Sequence, residues 1–348
     1  MQTLKFSGLD DFRLLGRSGL RVSPLCLGTM TFGTDWGWGA DQDECRKMFD
    51  LYVERGGNLI DTANNYTHGT SETFLGEFIG SRRDQLVVTT KYSLNMRRGD
   101  PNAGGNHRKN LVQSVEASLK RLKTDYIDIY YLHAWEFRTP IEEVMRALDD
   151  LVRSGKVLYL GISDVPAWKV SQANTIADLR GWTPFIALQA QYSLVERSAE
   201  RDLISMAQEL NIGVMAWGPL AGGVLTGKYN RNATKDDKVG RRNVSHRLTE
   251  RNLAIAEAVQ QIAEEVGRSP AQVSIQWLLN KPGVVIPILG ARTAKQLEDN
   301  LGCLDFSLLS EQIERLDDVS RIDLGFPHSF LADDSIKNLI TGGVTIKE

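Results

Sequence analysis

Short apolar runs, rich in β-branched residues, alternate along this chain with longer stretches whose apolar positions recur every three or four residues. Eight of the short runs read as core strands, near residues 24–29, 58–62, 86–91, 126–133, 157–162, 185–191, 212–217 and 284–289. Between them, Leu111, Val112, Val115, Leu119 and Leu122 predict a helix with Lys120, Arg121 and Lys123 on its polar side. Val144, Leu148, Leu151 and Val152 predict another that stops at Ser154-Gly155, where a glycine suits the C-cap. Strand and helix repeated about eight times predict a parallel sheet closed into a (β/α)8 TIM barrel. Ahead of the first strand, residues 12–22 predict a hairpin turning at Arg17-Ser18-Gly19 that plugs the amino-terminal end of the barrel.

Long segments flank this repeat. Between the seventh and eighth strands lie Ala221-Gly222-Gly223 and then a basic stretch, 228–251, holding Arg231, Lys235, Lys238, Arg241, Arg242 and Arg247. A loop of that length without structure of its own is expected to be a functional lid or disordered. The 321–348 tail, with Phe326, Phe330 and Leu331, is expected to fold over the barrel mouth. No break in composition divides the chain, so residues 1–348 read as one barrel domain.

Charge and cysteine content narrow the class. With 41 basic and 44 acidic residues the net charge is −3, which predicts neither nucleic acid nor an anionic membrane as partner. Cys26, Cys45 and Cys303 form no metal-binding spacing and read as reduced thiols, and no metal site is expected. The amino terminus lacks a signal-peptide pattern, and no apolar run approaches the roughly 18 residues of a membrane span. A soluble cytoplasmic enzyme is the expectation; oligomeric state is not legible.

The chemistry collects where three predicted strands stop. Asn58-Leu59-Ile60 ends at Asp61, with Tyr66 five residues on; Leu86 to Thr90 ends at Lys91; Tyr126 to Leu132 ends at His133. In a parallel barrel these ends open onto one face. A phenol beside an ammonium can protonate a forming alkoxide, a carboxylate can hold the ammonium, and a neutral imidazole can orient a carbonyl. That set suits carbonyl reduction by an external hydride, so a cofactor is required. Taken singly, each residue also has a structural reading: Asp61 a helix cap, Tyr66 a rim aromatic, His133 a packed histidine. The chain lacks a Gly-x-Gly-x-x-Gly fingerprint after its first strand.

Asp61-Thr62-Ala63-Asn64-Asn65-Tyr66, Lys91 and His133 resemble the catalytic tetrad of the aldo-keto reductases. The likeness continues through 156–163, 216–223 and 286–293, and runs from the Arg13–Gly33 segment to about Leu316. It is greatest to the bacterial branch that includes the potassium-channel β subunits. The resemblance implies NADPH bound across the barrel mouth without a Rossmann unit. It implies cofactor contacts from Gly28, Thr29, Met30 and Asp61. Ser163 and Gln189 would hold the nicotinamide carboxamide and Trp217 would stack on the ring. Gly218, Leu220, Gly222 and Lys228 would line the pyrophosphate, and Gly290, Arg292, Gln296, Asp299 and Asn300 the adenosine end. Arg292 suits a 2′-phosphate, which favours NADPH over NADH. Asp164 departs from the family's usual asparagine after the serine.

Phe32, Trp36, Trp135 and Phe137 are expected to line the pocket for a small-molecule aldehyde or ketone of aromatic or medium size. Trp38 and Leu331 read equally well as pocket or packing. Two rivals stay open: a Schiff-base lyase with Lys91 as nucleophile, and a slow NADPH-binding redox sensor.

Overall fold

The computed structural model describes residues 5–229 and 245–344. Arg231, Lys235, Lys238, Arg241 and Arg242 of the basic stretch therefore lie outside the described residues. Ten strands follow in chain order: β1 (Arg13–Leu14), β2 (Arg21–Val22), β3 (Cys26–Gly28), β4 (Leu59–Asp61), β5 (Val87–Tyr92), β6 (Ile127–Leu132), β7 (Val157–Ser163), β8 (Phe185–Gln191), β9 (Gly213–Trp217) and β10 (Val285–Gly290). β1 and β2 pair antiparallel as the expected hairpin. β3 to β10 close into a parallel barrel, β10 pairing with both β3 and β9. The (β/α)8 fold is thus present, with each predicted strand within a residue or two of its place.

Alternation along each strand divides the side chains between two cores. Outward residues such as Leu27, Ile60, Val88, Tyr130, Leu160 and Leu188 pack under the helices. Inward residues Cys26, Leu59, Val87, Ile129, Tyr131, Ala187, Met215 and Ile286 fill the barrel, joined from below by Leu15 and Val22 of the hairpin. The hairpin does close the amino-terminal end: a Cβ on Gly213 would meet Leu15 at 2.4 Å, and one on Gly16 would meet the Ile186 carbonyl at the same distance. Inside, Tyr131 lies across the strand beside it, where a Cβ on Gly161 would overlap its ring at 2.3 Å. A glycine is needed there because a close-packed interior has no slack of that size.

The helices form as their patterns predict. Arg108–Leu122 buries Leu111, Val115, Leu119 and Leu122 and ends at Lys123, whose φ of +54° breaks the helix. Ile141–Arg153 buries Val144, Leu148 and Leu151 and is followed by Gly155 at φ +75°. Residues 328–341 form two short helices, His328–Ala332 and Asp334–Thr341, and Phe326, Phe330, Leu331, Leu339 and Ile340 are exposed. The hydrogen bonds, ion pairs and ring contacts of residues 326–344 all stay within the tail. Arg201 fastens the chain just before them, at the Asp323 carbonyl. Leu331, 50% exposed, is not packed into a core.

Candidate active site

Asp61 ends β4, and Lys91 is the next-to-last residue of β5, which runs one residue past the predicted end. Both point into the barrel, where almost no water reaches them: Lys91 is 1% exposed and Asp61 3%. A buried ammonium needs all its donors met. Lys91 Nζ donates to Asp61 Oδ2 at 2.6 Å, to the Thr62 carbonyl at 2.7 Å and to the Tyr66 hydroxyl at 3.2 Å. Asp61 Oδ1 accepts from Thr89 at 2.7 Å and from the Gln189 amide at 2.6 Å. Burial alone disfavours the ammonium, yet Asp61 and Tyr66 outweigh it and the Lys91 pKa is raised. A lysine so held is a poor nucleophile, which weighs against the Schiff-base reading.

Tyr66 reaches the lysine because the loop that carries it is bent into an uncommon shape. Thr67 and His68 adopt φ of +46° and +57°, left-handed values that a β-branched residue avoids. The Thr67 hydroxyl holds the bend, donating to the Phe32 carbonyl at 2.7 Å and accepting from the Ser71 amide at 3.1 Å. Behind it, Thr29 donates to the Asp61 carbonyl, and Ser71 bonds Thr29 and Thr62. Backbone strain kept at a reactive group is a common mark of a functional loop.

The phenol itself titrates high. Burial is the leading cause; Lys91 pulls the pKa down and Asp61 pushes it up, leaving it raised. Lys91 does favour the phenolate, but burial outweighs it, and Tyr66 stays a neutral donor. His133 lies edge-on to Tyr66 with ring centroids 6.0 Å apart. Burial and the Lys91 charge lower its pKa to about 3, so the imidazole is neutral across the physiological range. Its Nδ1 is buried without a protein partner. Cys26, beneath this group and fully buried, has its thiol pKa pushed well up, first by burial and then by Asp61. Together these residues can donate a proton to an oxygen held between a phenol and a neutral imidazole.

Several expected contacts fall elsewhere. Phe32 is fully buried against Phe78 and belongs to the core, not the pocket. Thr29 is equally buried, its N–H and hydroxyl both spent on the Asp61 carbonyl. Gly28 is explained by packing, since a Cβ there would meet Ile288 at 2.6 Å. Both Asp61 oxygens accept hydrogen bonds within the protein, from Thr89 and Gln189 at Oδ1 and from Lys91 at Oδ2. Gln189, 2% exposed, gives one amide N–H to Asp61 Oδ1 at 2.6 Å. Asp299 accepts from Ser269 and Gln272, and Asn300 is buried. Thr89 and the Asp61-facing role of Gln189 escaped the sequence; the inward register they share with Lys91 was the available signal.

Other expected residues do gather at the mouth. Trp36 lies edge-on to Tyr66 at 6.4 Å and beside Trp38 at 5.4 Å. Trp135, 7% exposed, packs edge-on to the exposed Phe137. Ser163 and Trp217 end β7 and β9, and the Trp217 indole donates to Asp164 Oδ1 at 3.2 Å. Gly218 and Gly222 take φ of +69° and +71°, so Leu220 sits on a loop whose backbone turns sharply. A Cβ on Gly223 would meet the Lys228 ammonium at 2.7 Å. Burial and the nearby Arg292 charge lower the Lys228 pKa. Among the described residues neither cation has a carboxylate partner, while the Gln296 side chain accepts from the Arg292 backbone N–H at 2.9 Å. Two neighbouring cations beside a glycine-freed backbone fit phosphate groups. Met30 and Gly290 stand at the rim close by, after β3 and at the end of β10.

The order and chemistry of these strand ends match one family model, aldo/keto reductase, over residues 24–321. The chain belongs to the aldo/keto reductase family. It is 40% identical over 336 residues to a norsolorinic acid reductase of Aspergillus flavus, covering 93% of this chain and 84% of that one. It is 40% identical over 343 residues to an aryl-alcohol dehydrogenase [NADP(+)] of Phanerodontia chrysosporium, covering 92% and 89%. A putative aryl-alcohol dehydrogenase of Saccharomyces cerevisiae is 38% identical over 341 residues, covering 94% and 91%. This aldo/keto reductase is an oxidoreductase of carbonyl compounds. Its relatives here are fungal, and they lend no support to a placement in the bacterial branch of the channel β subunits. No helix among the described residues is long and apolar enough to cross a membrane.

Proposed function

We propose that this chain reduces an aldehyde or ketone to the alcohol with NADPH, Tyr66 giving the proton to the carbonyl oxygen. The observation that carries this is the buried Asp61–Lys91–Tyr66 chain of hydrogen bonds, 2.6 and 3.2 Å long, ending at a neutral phenol. Lys91 stabilises the phenolate left after proton donation, and Asp61, oriented by Thr89 and Gln189, keeps that lysine charged and in place. His133, neutral at its lowered pKa, donates a hydrogen bond that orients the carbonyl oxygen toward Tyr66. Bound at this mouth, NADPH supplies the hydride. Trp217 and Ser163 hold its nicotinamide end, Gly218, Leu220, Gly222 and Lys228 its pyrophosphate, and Arg292 with Gln296 its phosphorylated ribose.

Trp36, Trp135 and Phe137 wall the substrate side, which favours aromatic carbonyls; relatives named for aryl alcohols and NADP(+) point the same way. The whole chain is read as one domain working in the cytoplasm, a reading supported by three free and buried cysteines. Tryptophan fluorescence titrated with NADPH and NADH, then NADPH oxidation with 4-nitrobenzaldehyde, tests the assignment. Tight NADPH binding with turnover is expected, and Arg292→Ala should weaken NADPH by about tenfold or more while sparing NADH. Binding without turnover would instead favour the slow sensor, and equal loss of both nucleotides would remove Arg292 from the 2′-phosphate.

A further inference from the structure

Asp164 is a carboxylate at the mouth that the tetrad does not use. It follows Ser163 at the end of β7 and adopts φ +44°, a left-handed value that aspartate tolerates better than most residues. Its position makes it a junction. Oδ1 accepts from the Trp217 indole N–H at 3.2 Å, and its backbone carbonyl accepts from the Trp135 N–H at 3.2 Å. One residue thereby links the end of β7 to the backbone after β6 and to the indole at the end of β9. The carboxylate faces the open mouth, yet enough protein surrounds it to raise its pKa, against the opposing pull of Trp217, Ser163 and Lys91. Its charge is felt as far as Tyr66. An amide would make the same bond to the indole without any charge, so the charge calls for a separate explanation.

A nicotinamide ring gains a positive charge when it gives up hydride, and a fixed anion beside it favours the charged form. We propose that Asp164 is a positioning residue with an electrostatic role: it anchors Trp217 and, through its negative charge, makes the site bind NADP+ in preference to NADPH relative to a neutral residue there. The inference rests on the reading that Trp217 and Ser163 flank the nicotinamide. Lys91 is the cation that opposes the effect, but its charge is already matched by Asp61 at 2.6 Å.

The test is a binding measurement, independent of turnover. NADP+ and NADPH are titrated by tryptophan fluorescence against wild type, Asp164→Asn and Asp164→Ala at neutral pH. Asparagine keeps an acceptor for the indole and tolerates the left-handed backbone, so only charge is lost. The ratio of the NADP+ to the NADPH dissociation constant should rise about fivefold in Asp164→Asn, with NADPH affinity nearly unchanged. Asp164→Ala, which also frees the indole, should weaken both forms. An unchanged ratio in a folded Asp164→Asn protein overturns the electrostatic role. If wild type binds neither nucleotide, the cofactor reading falls, and this inference with it; binding by wild type with no change of ratio sinks the inference alone.

Discussion

The two ends of this barrel are made by the same strands and could hardly differ more. At the amino-terminal end the interior is Leu59, Val87, Ile129 and Met215, sealed by Leu15 and Val22 of the hairpin. Two or four residues further along the same strands stand Asp61, Thr89, Lys91, His133 and Trp217. One pleat repeat is about 7 Å, so that short a step separates a dry apolar floor from a charged hydrogen-bonded network. The floor fixes strand spacing; the network spends that rigidity on holding a lysine, a carboxylate and a phenol in one arrangement. Stability and chemistry occupy opposite ends, as the parallel barrel permits.

Substitutions should act differently at the two ends. The largest effect belongs to the mouth: Tyr66→Phe should cut kcat for 4-nitrobenzaldehyde by about 100- to 10,000-fold while leaving NADPH affinity nearly intact. Equal losses of binding and turnover would make Tyr66 a structural tyrosine instead. Lys91→Met crosses the divide, because it strands Asp61 as a buried unpaired charge; unfolding should become easier by about 3–5 kcal/mol, read by denaturant titration, and turnover should be lost. A stable Lys91→Met protein would mean the pair contributes little to the fold. Leu15→Ala probes the floor alone, and should cost about 2–5 kcal/mol with Kd for NADPH unchanged. Should cofactor affinity fall with it, the two ends are coupled and the division fails.

The smallest effect is on pH. The folded His133 pKa, about 3, lies below the ordinary histidine value of 6.5, so the unfolded chain binds the proton more readily. Its contribution to stability is then fully present above the unfolded value and is lost progressively as pH falls toward 3. Tm should drop less steeply between pH 6.5 and 4 in His133→Gln than in wild type, and parallel profiles would show that the imidazole is solvated. In reduction, no ionisation of His133 should appear in the kcat profile between pH 5 and 8.

The barrel was legible because a buried parallel strand announces itself as an apolar run, and the eight runs fall on β3 to β10 within a residue or two. Asp61, Lys91 and His133 were legible for the same reason: a charged or polar residue ending such a run has only the mouth to face. Phe32 was not, since four residues past a strand nothing in the spacing says whether a ring turns to the pocket or to Phe78. Gln189 was placed at the mouth correctly, but which neighbour takes its amide depends on how β8 and β4 approach across the barrel, a distance no local pattern carries. The exposure of the tail was not legible either, because apolar residues such as Phe326 and Leu331 are expected to find cover within their own chain, and both are exposed.

The thiol beneath the tetrad bears on how this enzyme endures damage. Oxidants attack thiolates that solvent can reach, and Cys26 offers neither the anion nor the access, being fully buried with its pKa pushed well up. Cys45 and Cys303 are buried too. The sulfur chemistry that silences many enzymes under peroxide therefore has no ready entry at these three positions, and the catalytic network should outlast conditions that first consume partly exposed methionines such as Met96 and Met206.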